Sequence, residues 1–165
     1  MSSQSIKVVT SDGVEHIISE ATSEKCQTIK TMIDDGNGFD ESDEPLPLPS
    51  ISSEVLSWIE SYCDEHKNEE APTEEQLEET KRDEITGWDS EFINGLQQHQ
   101  LFDLIMAANY IDCPGLLNLA CKRVAFMIKG KTPQEIRDTF DIENDFTPEE
   151  EEQIKRENEW CEEKP

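Results

Sequence analysis

The sequence is poor in basic residues: its 165 residues contain 14 Lys and Arg against 39 Asp and Glu, which gives a formal net charge of −25. This imbalance opposes binding to nucleic acid and to anionic membrane surfaces. Long apolar runs are also lacking, since stretches such as Leu104 to Ala108 are far too short to cross a bilayer. We therefore expect a soluble protein whose partners are neither nucleic acids nor membranes.

Paired cysteine motifs are absent as well. The five cysteines form an odd set without any Cys-x-x-Cys spacing, and most lie on apolar helical faces: Cys26, Cys63, Cys113, Cys121 and Cys161. Such usage is typical of a reducing compartment. The first residues lack a basic segment followed by an apolar one, and no Asn-x-Ser/Thr sequon occurs, so secretion is disfavoured. We expect an intracellular protein.

Catalytic and metal-binding patterns are missing too. His16, His66 and His99 are scattered without a serine or cysteine elbow motif nearby, and each is expected at the surface. The segment 35–40 resembles a calcium loop only superficially, because Asp40 stands where the glycine is required and Leu46 where the bidentate Glu belongs. The sequence therefore predicts no enzyme, no metal site and no cofactor.

The N-terminal part contains strands and helices in alternation. Residues 6–10 and 14–18 are rich in β-formers and flank Asp12-Gly13, which predicts a tight hairpin. A helix is expected from about Ser19 to Asp34, where apolar residues recur at intervals of three and four. Pro45 to Pro49 alternates Pro with Leu and predicts an extended edge segment with both leucines inward. A second helix, capped by Ser52 or Ser53, is expected to reach about His66.

Acidic linkers interrupt this order. Residues 64–84 contain ten acidic and three basic residues with Ala71-Pro72 in the middle, a composition that predicts disorder near 67–84. A shorter acidic linker is expected near 36–44. Beyond them the pattern is helical: a short helix marked by Trp88 and Phe92, a strongly apolar one at the centre from Leu101 to Tyr110, and one that ends at Gly130. The fold class predicted is α+β, dominated by helices.

The C-terminal third begins two helices in the same way. Thr132-Pro133 and Thr147-Pro148 each place Thr as N-cap and Pro at the first helical position, with a Glu two residues after the Pro. The second helix has few apolar residues, chiefly Ile154, Trp160 and Cys161, to offset the entropy lost when it becomes ordered. We therefore interpret this segment as one that docks on another surface.

Several motifs together resemble one family. They are the Ser11-Asp12-Gly13 hairpin, Thr28 to Met32, Pro45 to Pro49, Ala107 to Asp112, Ile128 to Arg137, Asn144 to Pro148, and Glu157 to Cys161. In these the chain resembles the S-phase-kinase-associated adaptor family of SCF (Skp, cullin, F-box) ubiquitin ligases. The resemblance runs the length of the chain, with departures that include Cys113-Pro114.

The resemblance implies a BTB/POZ-like α+β domain over 1–130 and a C-terminal helical extension over 131–165. It implies a non-enzymatic adaptor that bridges a cullin scaffold to F-box proteins in the cytoplasm and nucleus. A BTB-type domain with an uncovered surface can also pair with itself, so a homodimer free of F-box protein is a further expectation.

Site residues follow from the same resemblance. The cullin-binding residues expected are Asn109 and Tyr110, with Phe102 and Met106 beside them. The F-box-binding residues expected are Val124, Ile128, Ile142, Asn144, Phe146, Ile154, Trp160 and Cys161. From the residues alone, Tyr110 is equally compatible with a partner-binding and a core-capping role.

Two other functions stay open at this point. One is an acidic chaperone that binds histones or other basic proteins by charge alone, whose binding would collapse between low and physiological salt. The other is an enzyme of unrecognised type, which would require a cleft with convergent polar groups that the sequence gives no reason to expect.

Overall fold

The computed structural model describes residues 6–35, 44–80 and 84–162, with side chains described up to Glu159. The elements in chain order are β1 (Ile6–Thr10), β2 (Glu15–Ile18), α1 (Glu20–Lys25), α2 (Gln27–Asp34), β3 (Leu46–Leu48), α3 (Ser53–Glu65), α4 (Glu74–Glu79), α5 (Gly87–Asn94), α6 (Gln98–Ile111), α7 (Pro114–Ile128), α8 (Pro133–Phe140) and α9 (Pro148–Glu162). The expected α+β pattern dominated by helices is confirmed.

The small sheet has the strand order β2-β1-β3. The β1–β2 hairpin is antiparallel, and Gly13 in its turn has φ of 77°, a conformation that glycine adopts at no steric cost. β3 pairs in parallel with β1, with Val8 opposite Leu46. Both leucines of β3 are buried, as the alternation of Pro and Leu predicts.

Asp12 joins this turn to α3. Its carboxylate accepts hydrogen bonds from the Thr10 hydroxyl and from both the backbone amide and the hydroxyl of Ser53. The hydrogen bonds from Ser53 and then Thr10 lower the pKa of Asp12 to about 2. The turn therefore helps to fix the start of α3.

The core lies around α3 and α6. Both helices bury one face, and α6 is the more apolar, which agrees with its expected central position. Their buried side chains are Val55, Leu56, Ile59, Tyr62, Cys63, Leu101, Leu104, Ala107, Ala108 and Ile111. The sheet contributes Ile6, Val8, Ile18, Leu46 and Leu48 to the same core.

The single helix expected from about Ser19 to Asp34 is wrong, because two helices occupy this stretch. Cys26 separates them with an extended backbone, φ −101° and ψ 100°, while its side chain is fully buried. The Cys26 amide donates to the Thr22 carbonyl and ends α1, whereas the first amide of α2, that of Gln27, donates to the Asp112 carbonyl. A tertiary hydrogen bond thus replaces the continuation of the helix.

The expectation of disorder near 67–84 is wrong for residues 74–79, which form α4. Thr73 and Gln76 form a capping box: the Thr73 amide donates to Gln76 Oε1 at 2.9 Å and the Gln76 amide to Thr73 Oγ1 at 3.3 Å. This cap satisfies two amides that a short acidic helix would otherwise leave to water. Residues 81–83 and, apart from Glu44, the expected linker near 36–44 lie outside the described residues.

The chain forms two compact units, Met1–Met127 and Ile128–Pro165. The first contains the sheet, the core and the helices up to α7, and the second contains α8 and α9. The assignment of 1–130 to a BTB/POZ-like domain and of 131–165 to a docking extension stays a prediction.

Candidate functional site

One candidate surface lies on α6. A capping box between Gln97 and Gln100 begins this helix, and Asp112, with φ of 54°, ends it. Phe102, Met106 and Tyr110 follow one another at intervals of four residues, so they lie along one face, and Asn109 lies beside them. All four are exposed, with 71% of Met106 accessible to solvent. We call Phe102, Met106, Asn109 and Tyr110 the α6 surface.

Contacts from α2 hold the end of this surface. The Thr28 hydroxyl donates to the Tyr110 carbonyl at 3.2 Å, and the Gln27 amide donates to the Asp112 carbonyl at 3.0 Å. The carbonyls at the end of a helix lack partners within it, so these bonds satisfy groups that α6 leaves free. The structure thus brings the four expected cullin-binding residues together on one supported helix.

The second unit carries most of the other expected residues. Both of its helices begin with the predicted caps: the Thr132 amide donates to Glu135 Oε2 at 2.7 Å, and the Thr147 amide donates to Glu150 Oε2 at 2.9 Å. The Thr132 amide and hydroxyl also lower the pKa of Glu135. These reciprocal caps set the starts of α8 and α9.

A polar cluster holds the loop between α8 and α9. Asn144 Nδ2 donates to Glu151 Oε1 at 2.6 Å, while Asn144 Oδ1 accepts from the Phe146 amide at 3.2 Å. Arg137 lies 3.4 Å from the same Glu151 oxygen, and its guanidinium carbon lies 5.9 Å from the centre of the Phe146 ring. Asn144 therefore orders the loop that presents Phe146.

Apolar side chains in this unit face solvent. The exposed ones are Ile128, Ile142, Phe146 and Ile154, and Phe146 is 47% exposed. Among the side chains described here, up to Glu159, none is buried. The Trp160 and Cys161 side chains lie outside the described set, and Val124 belongs to the first unit, where it packs half-buried against the core. We call Ile128, Ile142, Phe146 and Ile154 the C-terminal surface.

The expectation of a surface position is wrong for His66, whose side chain is only 12% exposed. Its ring stacks on Tyr62 with centroids 4.2 Å apart, and Nε2 lies 3.2 Å from Asp89 Oδ1. Burial raises the pKa of Asp89, although the neighbouring His66 acts to lower it. We assign this pair to the packing of α3 against α5, because Trp88 also contacts the His66 ring.

Sequence reasoning missed one cluster of thiols. Cys26, Cys63 and Cys113 are buried, and their three Sγ atoms lie within 4.8 Å of one another. Hydrogen bonding to Cys113, together with burial, raises the pKa of Cys26 and of Cys63, the latter to about 12. The three residues are far apart in the chain and share no motif spacing, so no sequence signal indicated their proximity.

Within the described residues, every helix is too short or too polar to cross a membrane.

Comparison with known proteins identifies the family. A model described as the Skp1 family tetramerisation domain matches residues 4–68, and one described as the Skp1 family dimerisation domain matches residues 114–161. A relative in Talaromyces marneffei is 45% identical over 160 residues, which cover 96% of this chain and 98% of the relative. The chain belongs to the Skp1 family. The expected resemblance and the BTB/POZ-like fold are thereby confirmed.

Two relatives of this Skp1-family chain carry the same name. The Talaromyces marneffei protein is named E3 ubiquitin ligase complex SCF subunit sconC. A protein of Aspergillus flavus with that name is 44% identical over 165 residues, which cover 99% of this chain and all of the relative. These matches favour a ubiquitin-ligase subunit. The alternative of a chaperone that acts by charge alone gains no support from them.

Proposed function

We propose that this chain is the adaptor subunit of an SCF-type E3 ubiquitin ligase, which bridges a cullin scaffold to F-box substrate receptors and performs no chemistry itself. The observation that carries the proposal is the family match together with near-complete coverage of relatives named as SCF subunits. An adaptor needs two separate binding surfaces. The α6 surface and the C-terminal surface, on different units, supply them.

The α6 surface is the proposed cullin-binding site. Tyr110 and Phe102 offer aromatic area, and aromatic anchors commonly supply most of the energy of a protein interface. Asn109 adds an exposed amide beside them that can donate and accept hydrogen bonds. The rigid support of α2 lowers the entropy lost on binding, because the end of α6 is already ordered.

The C-terminal surface is the proposed F-box-binding site, to which Val124, Asn144, Trp160 and Cys161 are assigned as well. Its support is the absence of any buried side chain among those described in the second unit. Several large apolar residues left exposed in one short unit are characteristic of an interaction site. Asn144 contributes by ordering the loop that presents Phe146.

We further propose that the chain acts in the cytoplasm and nucleus and pairs with itself when no F-box protein is bound. The cysteines whose side chains are described are free, which suits a reducing compartment.

In the proposed self-pairing, a second copy would cover the C-terminal surface that an F-box protein otherwise covers. Light scattering with and without an F-box peptide tests this, since the peptide should convert dimers to monomers.

Capture experiments with two paired variants test the adaptor function. The Asn109→Ala/Tyr110→Ala variant should lose cullin capture by about 2 kcal/mol or more and keep F-box capture. The Ile142→Ala/Phe146→Ala variant should show the reverse. Circular dichroism verifies that both remain folded. Loss of both partners in either folded variant would contradict the assignment of the two surfaces.

A further inference from the structure

The three buried thiols are brought together by the fold and not by the sequence. Cys26 lies at the break between α1 and α2, Cys63 in α3, and Cys113 between α6 and α7. Cys26 and Cys63 are fully buried and Cys113 is 2% exposed. Their Sγ atoms all lie within 4.8 Å of one another. Three convergent thiols are a potential ligand set, whereas a single buried cysteine is only a small apolar residue.

The sulfur spacing suits a three-coordinate metal ion. A metal–sulfur bond of about 2.3 Å places three sulfurs in a plane about 4 Å apart. The observed separations are at most 4.8 Å, so small side-chain adjustments bring the three Sγ atoms to ligand distance. Cys26 lies at the extended break between α1 and α2, and its side chain is fully buried in the core.

We propose that Cys26, Cys63 and Cys113 bind one monovalent copper ion. Thiolates are soft ligands and select Cu(I), zinc or iron–sulfur clusters. Structural zinc sites almost always take four protein ligands. Within the described residues, no fourth His, Cys, Asp or Glu belongs to the cluster that these three cysteines form. A trigonal ion therefore fits the site better than a tetrahedral one.

An open space adjoins the site on the Cys113 side. Cys113 lines a small, partly open cavity of about 110 Å³, together with Lys25, Tyr62, His66 and Gly115. Each thiol releases its proton to solvent when the metal binds, and three thiolates around a monovalent ion leave net negative charge. Lys25 lines the same cavity and opposes that charge, whereas Glu69 and Glu70, which also line it, add to it.

A titration under oxygen-free, reducing conditions tests the proposal. The full chain carrying Cys121→Ser and Cys161→Ser, which keeps only the three clustered thiols, is titrated with Cu(I) against a chromophoric Cu(I) chelator. The result expected is one ion per chain, with three sulfur ligands by X-ray absorption spectroscopy. Individual Cys26→Ser, Cys63→Ser and Cys113→Ser changes should each weaken binding by more than the 10–100-fold typical of outer-shell partners.

Two controls keep the test decisive. Cys113→Val and Cys26→Ala preserve an apolar core, so loss of Cu(I) binding in these variants with unchanged circular dichroism supports a ligand role and not a folding defect. A separate titration with Zn(II) should give weaker binding than Cu(I). No stoichiometric Cu(I) binding, binding that survives Cys113→Val, or tighter binding of a four-coordinate Zn(II) would overturn the proposal.

Discussion

The hydroxyl oxygen of Tyr62 lies 2.6 Å from the position that a Cβ atom would occupy on Gly115. Tyr62 belongs to α3 and is 8% exposed, while Gly115 follows Pro114 at the start of α7. Two helices of the core thus approach so closely that only glycine fits. The next nearest atoms, Tyr62 Cζ and Pro72 Cδ, would lie at the ordinary contact distances of 3.6 and 3.7 Å.

The close approach predicts that Gly115→Ala destabilises the protein. The added methyl group must displace a buried phenol ring, and overpacking of this kind costs about 1–3 kcal/mol. In a Tyr62→Phe background the same change should be neutral or stabilising, because the hydroxyl is gone and Ala favours helix more than Gly does. Urea denaturation of the four proteins in this double-mutant cycle measures the effect. Equal costs of Gly115→Ala in both backgrounds would disprove the steric explanation.

The Asp12 carboxylate predicts a defined dependence of stability on pH. Its pKa is lowered in the folded state from 3.8 to about 2. The stability it contributes is therefore fully present above its unfolded pKa and is lost as pH falls toward the folded value. Comparison of Asp12→Asn with the unchanged protein by denaturation from about pH 5 to about pH 3 checks this. The stability difference between the two should shrink with falling pH; a constant or growing difference would refute it.

Asn144 should act through the order of its loop. Asn144→Ala removes both the hydrogen bond to Glu151 and the acceptor for the Phe146 amide, so that amide should exchange with solvent faster. Each bond contributes about 1 kcal/mol, which corresponds to a several-fold acceleration. Asn144→Asp keeps the acceptor and should preserve part of the protection, while Glu143→Ala is the matched exposed control. Exchange of Phe146 that is identical in all four proteins would argue against this role.

Local rules predicted much of the fold. Asp12-Gly13 fixed the hairpin, the alternation of Pro45 to Pro49 specified a strand with both leucines inward, and the Thr-Pro pairs at 132 and 147 located the starts of α8 and α9. In each case a few adjacent residues determine the local backbone. For α6, helical spacing predicted a central apolar helix, and only the family resemblance indicated which of its residues form the α6 surface.

Features that depend on distant contacts were not predictable in this way. The break at Cys26 is stabilised by the Asp112 carbonyl, which is remote in the chain. The meeting of three cysteines and the partial burial of His66 against Tyr62 and Trp88 likewise arise only when helices pack. The helix at 74–79 was missed for another reason: acidic composition favours disorder, and the Thr73 cap outweighs it.

The central claim is that the second unit completes its folding on a partner, and amide hydrogen exchange tests it most directly. We predict that the backbone amides of α8 and α9 exchange rapidly in the isolated monomer, at a concentration too low for self-pairing, and become strongly protected in a complex with an F-box protein. The amides of α6 in the core should be equally protected in both samples. Strong protection of α8 and α9 in the isolated monomer, unchanged by the partner, would contradict the account.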